Sequence, residues 1–416
     1  MSRLEQFSIE RLGAQGDGVA VSDAGRRAFA PLTLPGETIE ALAAGDRLDA
    51  VRVVEASADR VAPPCPHFGA CGGCALQHWA MEPYTAWKTG LIREALAREG
   101  IETDLLPAFT VPPGARRRVA LHARRRGREV VLGFKARRSW AVEAISACTV
   151  ADPRLVAALP GLKALAAAFF EHPKSAPTLH VTLASTGLDV DVTGVEARGG
   201  GLSADARVRA AEAAGAADLA RLTLAGEILY QARLPMVRFG PAAVALPAGG
   251  FLQASAEAER VMAEAVTEAV GSAPRVADLF CGAGAFTFPL AVRSGVLALD
   301  ASREAIGALM GGRAGTAGLK AIEAEARDLY RRPLLAGEMK RLDAVVFDPP
   351  RAGALDQTRE IAASTAPLAV GVSCNPQTFA RDAAVLVQGG FRLEQVLPVD
   401  QFLWSAHVEL VGVFRR

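Results

Sequence analysis

The chain lacks the marks of export. Its first residues, MSRLEQFSIERLGAQGDG, have no basic start, apolar run or small-residue cleavage site of a secretory signal. No stretch reaches the ~18 uninterrupted apolar residues of a membrane span, so the cytoplasm is the expected address and no membrane partner is expected. Cysteine is scarce: six in 416 residues, unevenly spaced, make no disulfide framework, and in a reducing compartment clustered cysteines more often bind metal or do chemistry. A net charge of +1 argues neither for nor against a nucleic-acid partner. No internal repeat or low-complexity tract stands out.

What is present points to packed domains. Half of the residues are hydrophobic, enough to fill several interiors, and the 416 residues exceed one typical core, so two or three domains are expected. The chain is expected to act as a monomer. The charge is also unevenly spread. Residues 116 to 138, RRRVALHARRRGREVVLGFKARR, hold nine Arg and one Lys against one Glu, a surplus of nine that leaves the rest of the chain at −8.

Residues 1–58 alternate short apolar runs with Gly, Asp and Pro turns, the pattern of a small all-β module that closes as a five-stranded barrel. Residues 59–252 begin with a Pro, Gly and Cys-rich insert, continue through a helical stretch and the basic hairpin-like segment, and end in mixed α/β sequence. From 253 to 416 apolar strands alternate with helical segments: RVADLF, VLALDAS, LKAIEAEARD, LDAVVFDPP, LAVGVSCN, FRLEQVLPVD, HVELVGVFRR. That alternation predicts an α/β class with a Rossmann-like, doubly wound sheet carrying ligands at the carboxyl ends of its strands.

Five motifs carry chemistry. Asp278-Leu-Phe280-Cys-Gly282-Ala-Gly284-Ala-Phe stands where a strand turns into a helix, and its glycines allow close backbone approach to a ligand. Asp300 ends the next strand, 22 residues on, where a carboxylate can accept both hydroxyls of a ribose. The third glycine of the dinucleotide fingerprint is absent, so S-adenosylmethionine, which has no pyrophosphate, fits better than NAD. Asp348-Pro-Pro-Arg351 ends the fourth strand, with Arg351 where amino-directed methyltransferases carry an aromatic, so the site is not built for N-methylation.

Cys374, in Ser373-Cys374-Asn375-Pro376, follows the fifth strand. A thiolate so placed can serve methyl transfer to a poorly nucleophilic carbon such as carbon 5 of uracil, whose electron density it raises by adding to carbon 6. Glu409, on the last strand, is then the candidate base for the proton on carbon 5, with His407 two residues earlier on the same face. Cys281 reads as structural. Cys65, Cys71 and Cys74, joined by Cys148, make a four-sulfur set that spacing alone assigns equally to an iron-sulfur cluster or zinc.

The barrel segment resembles the TRAM domain, an OB-like RNA-binding module. With it, the cysteine set, Phe251-Leu-Gln253, DLFCGAGAFTFPLA, DPPRAG, SCNPQTFARD and HVEL in this order, the chain resembles the bacterial 23S rRNA (uracil-5-)-methyltransferase family over nearly its whole length. The resemblance implies a [4Fe-4S] cluster on Cys65, Cys71, Cys74 and Cys148. It implies contacts of Gln253, Asp300 and Asp348 to the methyl donor or the target, Asp328 at the adenine amine, Cys374 as nucleophile and Glu409 as base. Ser255 stands where family members often carry Asn, and Asp300 where Glu is common. The expected partner is RNA, 23S rRNA before tRNA, with the barrel and the Arg-rich segment on phosphates and the uridine flipped into the pocket. A noncatalytic RNA-binding protein of the same fold and a cytosine-5 methyltransferase are the alternatives.

Overall fold

The computed structural model describes residues 4–127, 129–196 and 201–416. At the N-terminus, the strands Leu4–Leu12, Gly18–Ser22, Arg27–Ala30, Thr38–Ala44 and Arg47–Glu55 form a closed barrel in the order 1-2-3-5-4. Period-two alternation turns Phe7, Ile9, Ala20, Ile39 and Leu48 into its interior.

The middle of the chain builds a seven-stranded sheet from residues 118 to 231. The helices Leu159–Ala167 and Ala204–Ala216 cover it, packing Leu162, Leu165, Ala206 and Ala210 on Leu121, Val181, Val190 and Leu222. The basic segment forms the hairpin Arg118–Arg126/Glu129–Lys135 at one side of this sheet.

The C-terminal strands are Arg275–Leu279, Gly295–Asp300, Ile322–Ala326, Ala344–Phe347, Leu368–Ser373, Arg392–Asp400 and Glu409–Arg415. Counted in chain order they lie 3-2-1-4-5-7-6; the first five run parallel, and the seventh is antiparallel to both its neighbours. Strands such as Ala344–Phe347 and Leu368–Ser373 are buried at every residue, which is why they read as unbroken apolar runs. The α/β class and the barrel are as expected.

One boundary differs. The helix Met81–Arg98 and the two-residue strands Asp104–Leu105 and Phe109–Thr110, placed by sequence with the middle of the chain, complete the C-terminal sheet instead. The short strands pair in parallel with Arg392–Asp400, covering an edge that would otherwise lie open. The helix lays Ile92, Ala95 and Leu96 against Phe379, Ala383 and Leu386. Among the described residues no helix is long and apolar enough to cross a membrane.

Candidate active site

At the carboxyl ends of the parallel strands lies a cavity of about 680 Å³. It brings together Gln253, Phe280, Gly282, Asp300, Asp328, Asp348, Cys374 and Glu409. Asp278 and Gly284 do not line it. Asp278 is fully buried behind the turn and accepts from Thr287 Oγ1 at 2.5 Å, tying strand to helix; burial holds its carboxyl up at about 7. Gly284 (φ +103°) is needed for packing, since a Cβ there would stand 2.7 Å from the Phe288 ring.

The turn itself is bent to expose its backbone. Phe280 (φ +61°) and Gly282 (φ +54°) both take the left-handed conformation, and a Cβ on Gly282 would meet only open space, so the chain is bare towards the cavity. The amide N–H of Gly282 donates to Asp300 Oδ2 at 2.9 Å and that of Ser302 to Oδ1 at 2.8 Å. Asp300 is thereby fixed in direction, and each oxygen keeps a free lone pair for a ligand hydroxyl. Asp328 caps its own turn, accepting from the N–H of Tyr330 at 3.0 Å.

Cys374 sits on the one-residue link between the strand Leu368–Ser373 and Asn375, whose side chain caps the helix Pro376–Gln388 by accepting from the Gln377 N–H at 3.1 Å. The thiol is thus presented beside a helix N-terminus, where negative charge is favoured. Its surroundings oppose ionisation all the same: burial first, then Glu409 and Asp348, push it up to about 11, with Arg351 pulling the other way. Burial lifts Glu409 to about 7, and burial together with Glu409 raises Asp348 well above the usual carboxylate range. Around Cys374, then, burial biases the thiol and the Asp348 carboxyl towards their neutral forms, and leaves Glu409 poised to exchange its proton.

A polar chain joins these groups. Ala254 N–H donates to Gln401 Oε1 at 3.0 Å, so the Gln401 amide nitrogen must point the other way. It donates to Gln253 Oε1 at 2.7 Å and to Glu409 Oε1 at 3.0 Å. Gln253 then turns its own nitrogen to Asp348 Oδ2 at 3.3 Å. One backbone N–H sets the direction of the whole line. Gln401 was missed in sequence because a lone glutamine in a loop carries no period. Glu259, buried at the cavity and bonded to Arg117 at 2.6 Å, was missed for the same reason, masked inside an amphipathic helix.

His407 is a correction. It precedes the strand Glu409–Arg415 rather than sharing a face with Glu409, because the chain there is still in the loop, and it lines a different cavity. That second cavity, about 320 Å³, is walled by Cys65, Cys71, Cys74 and Cys148 together with Arg116. The Gly73 N–H points at Cys71 Sγ at 3.4 Å, and Gly72 is pressed so close to the Lys135 carbonyl that a Cβ would stand 2.9 Å from it. Burial, reinforced by the other three thiols, raises Cys74 to about 12. The sulfurs ring the cavity and do not meet at a point: among the described residues no three His, Cys, Asp or Glu converge as around a single ion. The Arg351 guanidinium, whose residue lines the first cavity, bonds His407 Nδ1 at 3.0 Å and so bridges the two.

The Arg-rich segment is not one continuous phosphate strip. Arg117 and Arg118 are drawn inward, donating to the carbonyls of Gln253 (3.1 Å) and Leu252 (2.8 Å), and Arg137 and Arg138 are ion-paired with Asp17 of the barrel. Arg125 and Arg126, at the hairpin tip, are exposed.

Residues 243–416 match the tRNA (Uracil-5-)-methyltransferase family. Over 99% of its length the chain is 60% identical to an uncharacterized RNA methyltransferase of Caulobacter vibrioides, covering all of that protein. It is 33% identical to the 23S rRNA (uracil(1939)-C(5))-methyltransferase RlmD of Chromohalobacter salexigens, over 99% of this chain and 89% of that one. In fold it resembles the Pyrococcus abyssi tRNA (uracil-54, C5)-methyltransferase solved with S-adenosyl-L-homocysteine, with a TM-score of 0.74 at 22% identity, covering 98% of this chain and all of the other.

Proposed function

The chain belongs to the family of RNA (uracil-5-)-methyltransferases, and from that premise we propose that it methylates carbon 5 of one uridine in 23S rRNA, with Cys374 as nucleophile and Glu409 as base. The observation that carries this reading is the shared cavity: the glycine turn and Asp300 on one side, Cys374, Asp348 and Glu409 on the other. S-adenosylmethionine supplies the methyl group on a sulfonium, and Gly282, Asp300 and Asp328 hold it.

Cys374, once deprotonated, adds through Sγ to carbon 6 of the flipped uracil, and the electron pair of the 5,6 double bond moves onto carbon 5 and the carbon 4 carbonyl. Arg351 opposes the cost of the thiolate charge. Carbon 5 then takes the methyl group, the sulfonium keeping the bonding pair. Glu409 removes the remaining proton from carbon 5, the double bond re-forms, and Cys374 leaves as thiolate. Gln253 and Gln401 hold the two carboxylates in place throughout.

Cys65, Cys71, Cys74 and Cys148 are the residues that would hold a [4Fe-4S] cluster. Four soft sulfur donors lining one cavity, with the Arg116 guanidinium beside them, fit a group larger than one ion, in which the thiolates would ligate iron and the cation would offset the negative charge they bring. Such a cluster would supply a rigid cross-link between the 65–74 loop and Cys148.

The test is to incubate the protein with labelled S-adenosylmethionine and separated rRNA and tRNA from a strain lacking it. Label at carbon 5 of a 23S rRNA uridine supports the reading; label in tRNA alone, as the likeness to tRNA enzymes would have it, overturns the choice of substrate.

A further inference from the structure

Trp140 is 76% exposed, an uncommon place for so large an aromatic ring. It stands in the turn between the strands Glu129–Lys135 and Val142–Ala144 and lines neither cavity. The turn is firmly built: Ala136 N–H donates to the Ala141 carbonyl at 2.8 Å and Ala141 N–H to Ser139 Oγ at 3.1 Å. At its base the Gly72 N–H donates to the Lys135 carbonyl at 2.9 Å, fastening it to the cysteine loop. Lys135 Nζ lies 4.0 Å from the centroid of the Trp140 ring, so a cation holds the indole.

In the turn that carries the ring, charge is out of balance. Arg47 from the barrel and Arg137 and Arg138 from the turn all close on one carboxylate, Asp17, which is buried. Three guanidiniums on a single carboxylate leave a surplus of positive charge, and Arg47 and Arg138 keep 46% and 42% of their side-chain surface exposed. A held aromatic face on the same turn as guanidiniums that one carboxylate neutralises only in part is the pairing that receives an unstacked base and its phosphate.

We propose that Trp140, seated on Lys135, is a stacking platform for an unpaired nucleotide of the RNA, outside the catalytic cavity, whose phosphate is met by Arg47 and Arg138. The proposal rests on RNA being the substrate. Stacking needs only a π-face, so the platform is tolerant of which base it takes and serves to anchor and orient the strand.

The test uses the full chain and a fluorescein-labelled single-stranded oligouridylate. W140A is expected to weaken binding by between about fivefold and a hundredfold, the worth of one stacked base, while W140F, which keeps a flat face, restores most of it. A paired Arg47→Ala, Arg138→Ala variant is expected to flatten the dependence of affinity on salt. Indole fluorescence quenched by the oligonucleotide in the wild type is expected to be largely lost in W140F. Unchanged affinity of W140A overturns the platform, as does quenching that follows protein concentration and not RNA, which would mark Trp140 as a contact between copies. If the wild type binds the oligonucleotide but transfers no methyl group to any RNA, the catalytic reading fails while the platform stands.

Discussion

Gln401 donates to Glu409 Oε1 at 3.0 Å, and because its own oxygen is claimed by the Ala254 N–H, it cannot turn round to do otherwise. The bond favours the ionised form of Glu409 against the burial that lifts it to about 7. As a base, Glu409 works only when ionised, so turnover in the wild type is expected to rise with pH through about 7. Removing the donor in Gln401→Leu raises Glu409 further and moves that limb to higher pH. The measurement is kcat against pH for both proteins; a limb that does not move would show that Gln401 does not act on the base.

The covalent route gives two variants opposite signatures. Glu409→Gln keeps the shape but removes the proton acceptor, so it is expected to methylate once and stall as a protein-RNA adduct that survives a denaturing gel. Cys374→Ala is expected to give neither adduct nor 5-methyluridine while still binding the methyl donor, since the turn at Gly282 and Asp300 is untouched. Normal turnover by the first, or product from the second, would refute these roles.

Lys88 and Asp400 form an ion pair with both side chains buried, and Tyr84 Oη donates to the same carboxylate at 2.6 Å. Lys88→Met leaves Asp400 charged and short of its cation, which costs roughly 3–5 kcal/mol. Tyr84→Phe removes one bond to Asp400 and one from the Trp404 N–H (2.7 Å), for about 1–3 kcal/mol. Denaturant unfolding ranks the two; equal stability to wild type in Lys88→Met would show that the buried pair adds nothing to the fold.

The arginines of residues 116–138 should separate into two classes. Arg125→Ala with Arg126→Ala, at the exposed hairpin tip, is expected to lower the slope of log affinity against log salt by roughly 0.7–0.9 for each phosphate that is no longer neutralised, with stability unchanged. Arg117→Ala is expected instead to destabilise the fold, because it strips the partner from the buried Glu259, whose carboxyl burial already lifts to about 7. Salt titrations and thermal melts of the same variants tell the classes apart.

Protein purified without oxygen is expected to carry iron and labile sulfide and a broad visible absorbance, lost in Cys148→Ser. Stoichiometric zinc with no sulfide would reject the cluster.

Much of this was legible in the sequence because fully buried parallel strands spell themselves out: the apolar runs leading to Asp300, Asp348 and Cys374 each showed both a strand and the residue that its carboxyl end brings to the cavity, whereas Asp278 stays buried behind its turn. The sharing of one cavity by Gln253 and Glu409, 156 positions apart, was anticipated only through the resemblance. What was not legible depended on partners remote in the chain. The surplus of charge in residues 116–138 was plain, but not that Asp17 and Glu259 would claim part of it. The strands Asp104–Leu105 and Phe109–Thr110 are two residues each, too short to show any period. His407 was misplaced because a two-residue spacing means a shared face only inside a strand, and the strand begins at Glu409.

The helix Met81–Arg98 and the two short strands after it give the methyltransferase half a discontinuous pedigree: the polypeptide visits that sheet, departs to build the seven-stranded one, and comes back. A fragment cut to the matched stretch, 243–416, would therefore be an amputation. It would bare the rim of Arg392–Asp400 to pairing with other molecules and strip Asp400 of both Lys88 and Tyr84. Any smaller version of this enzyme has to carry residues 81–111 along with the C-terminal half, since a cut from the front that passes residue 81 removes a piece of the very sheet one hopes to keep.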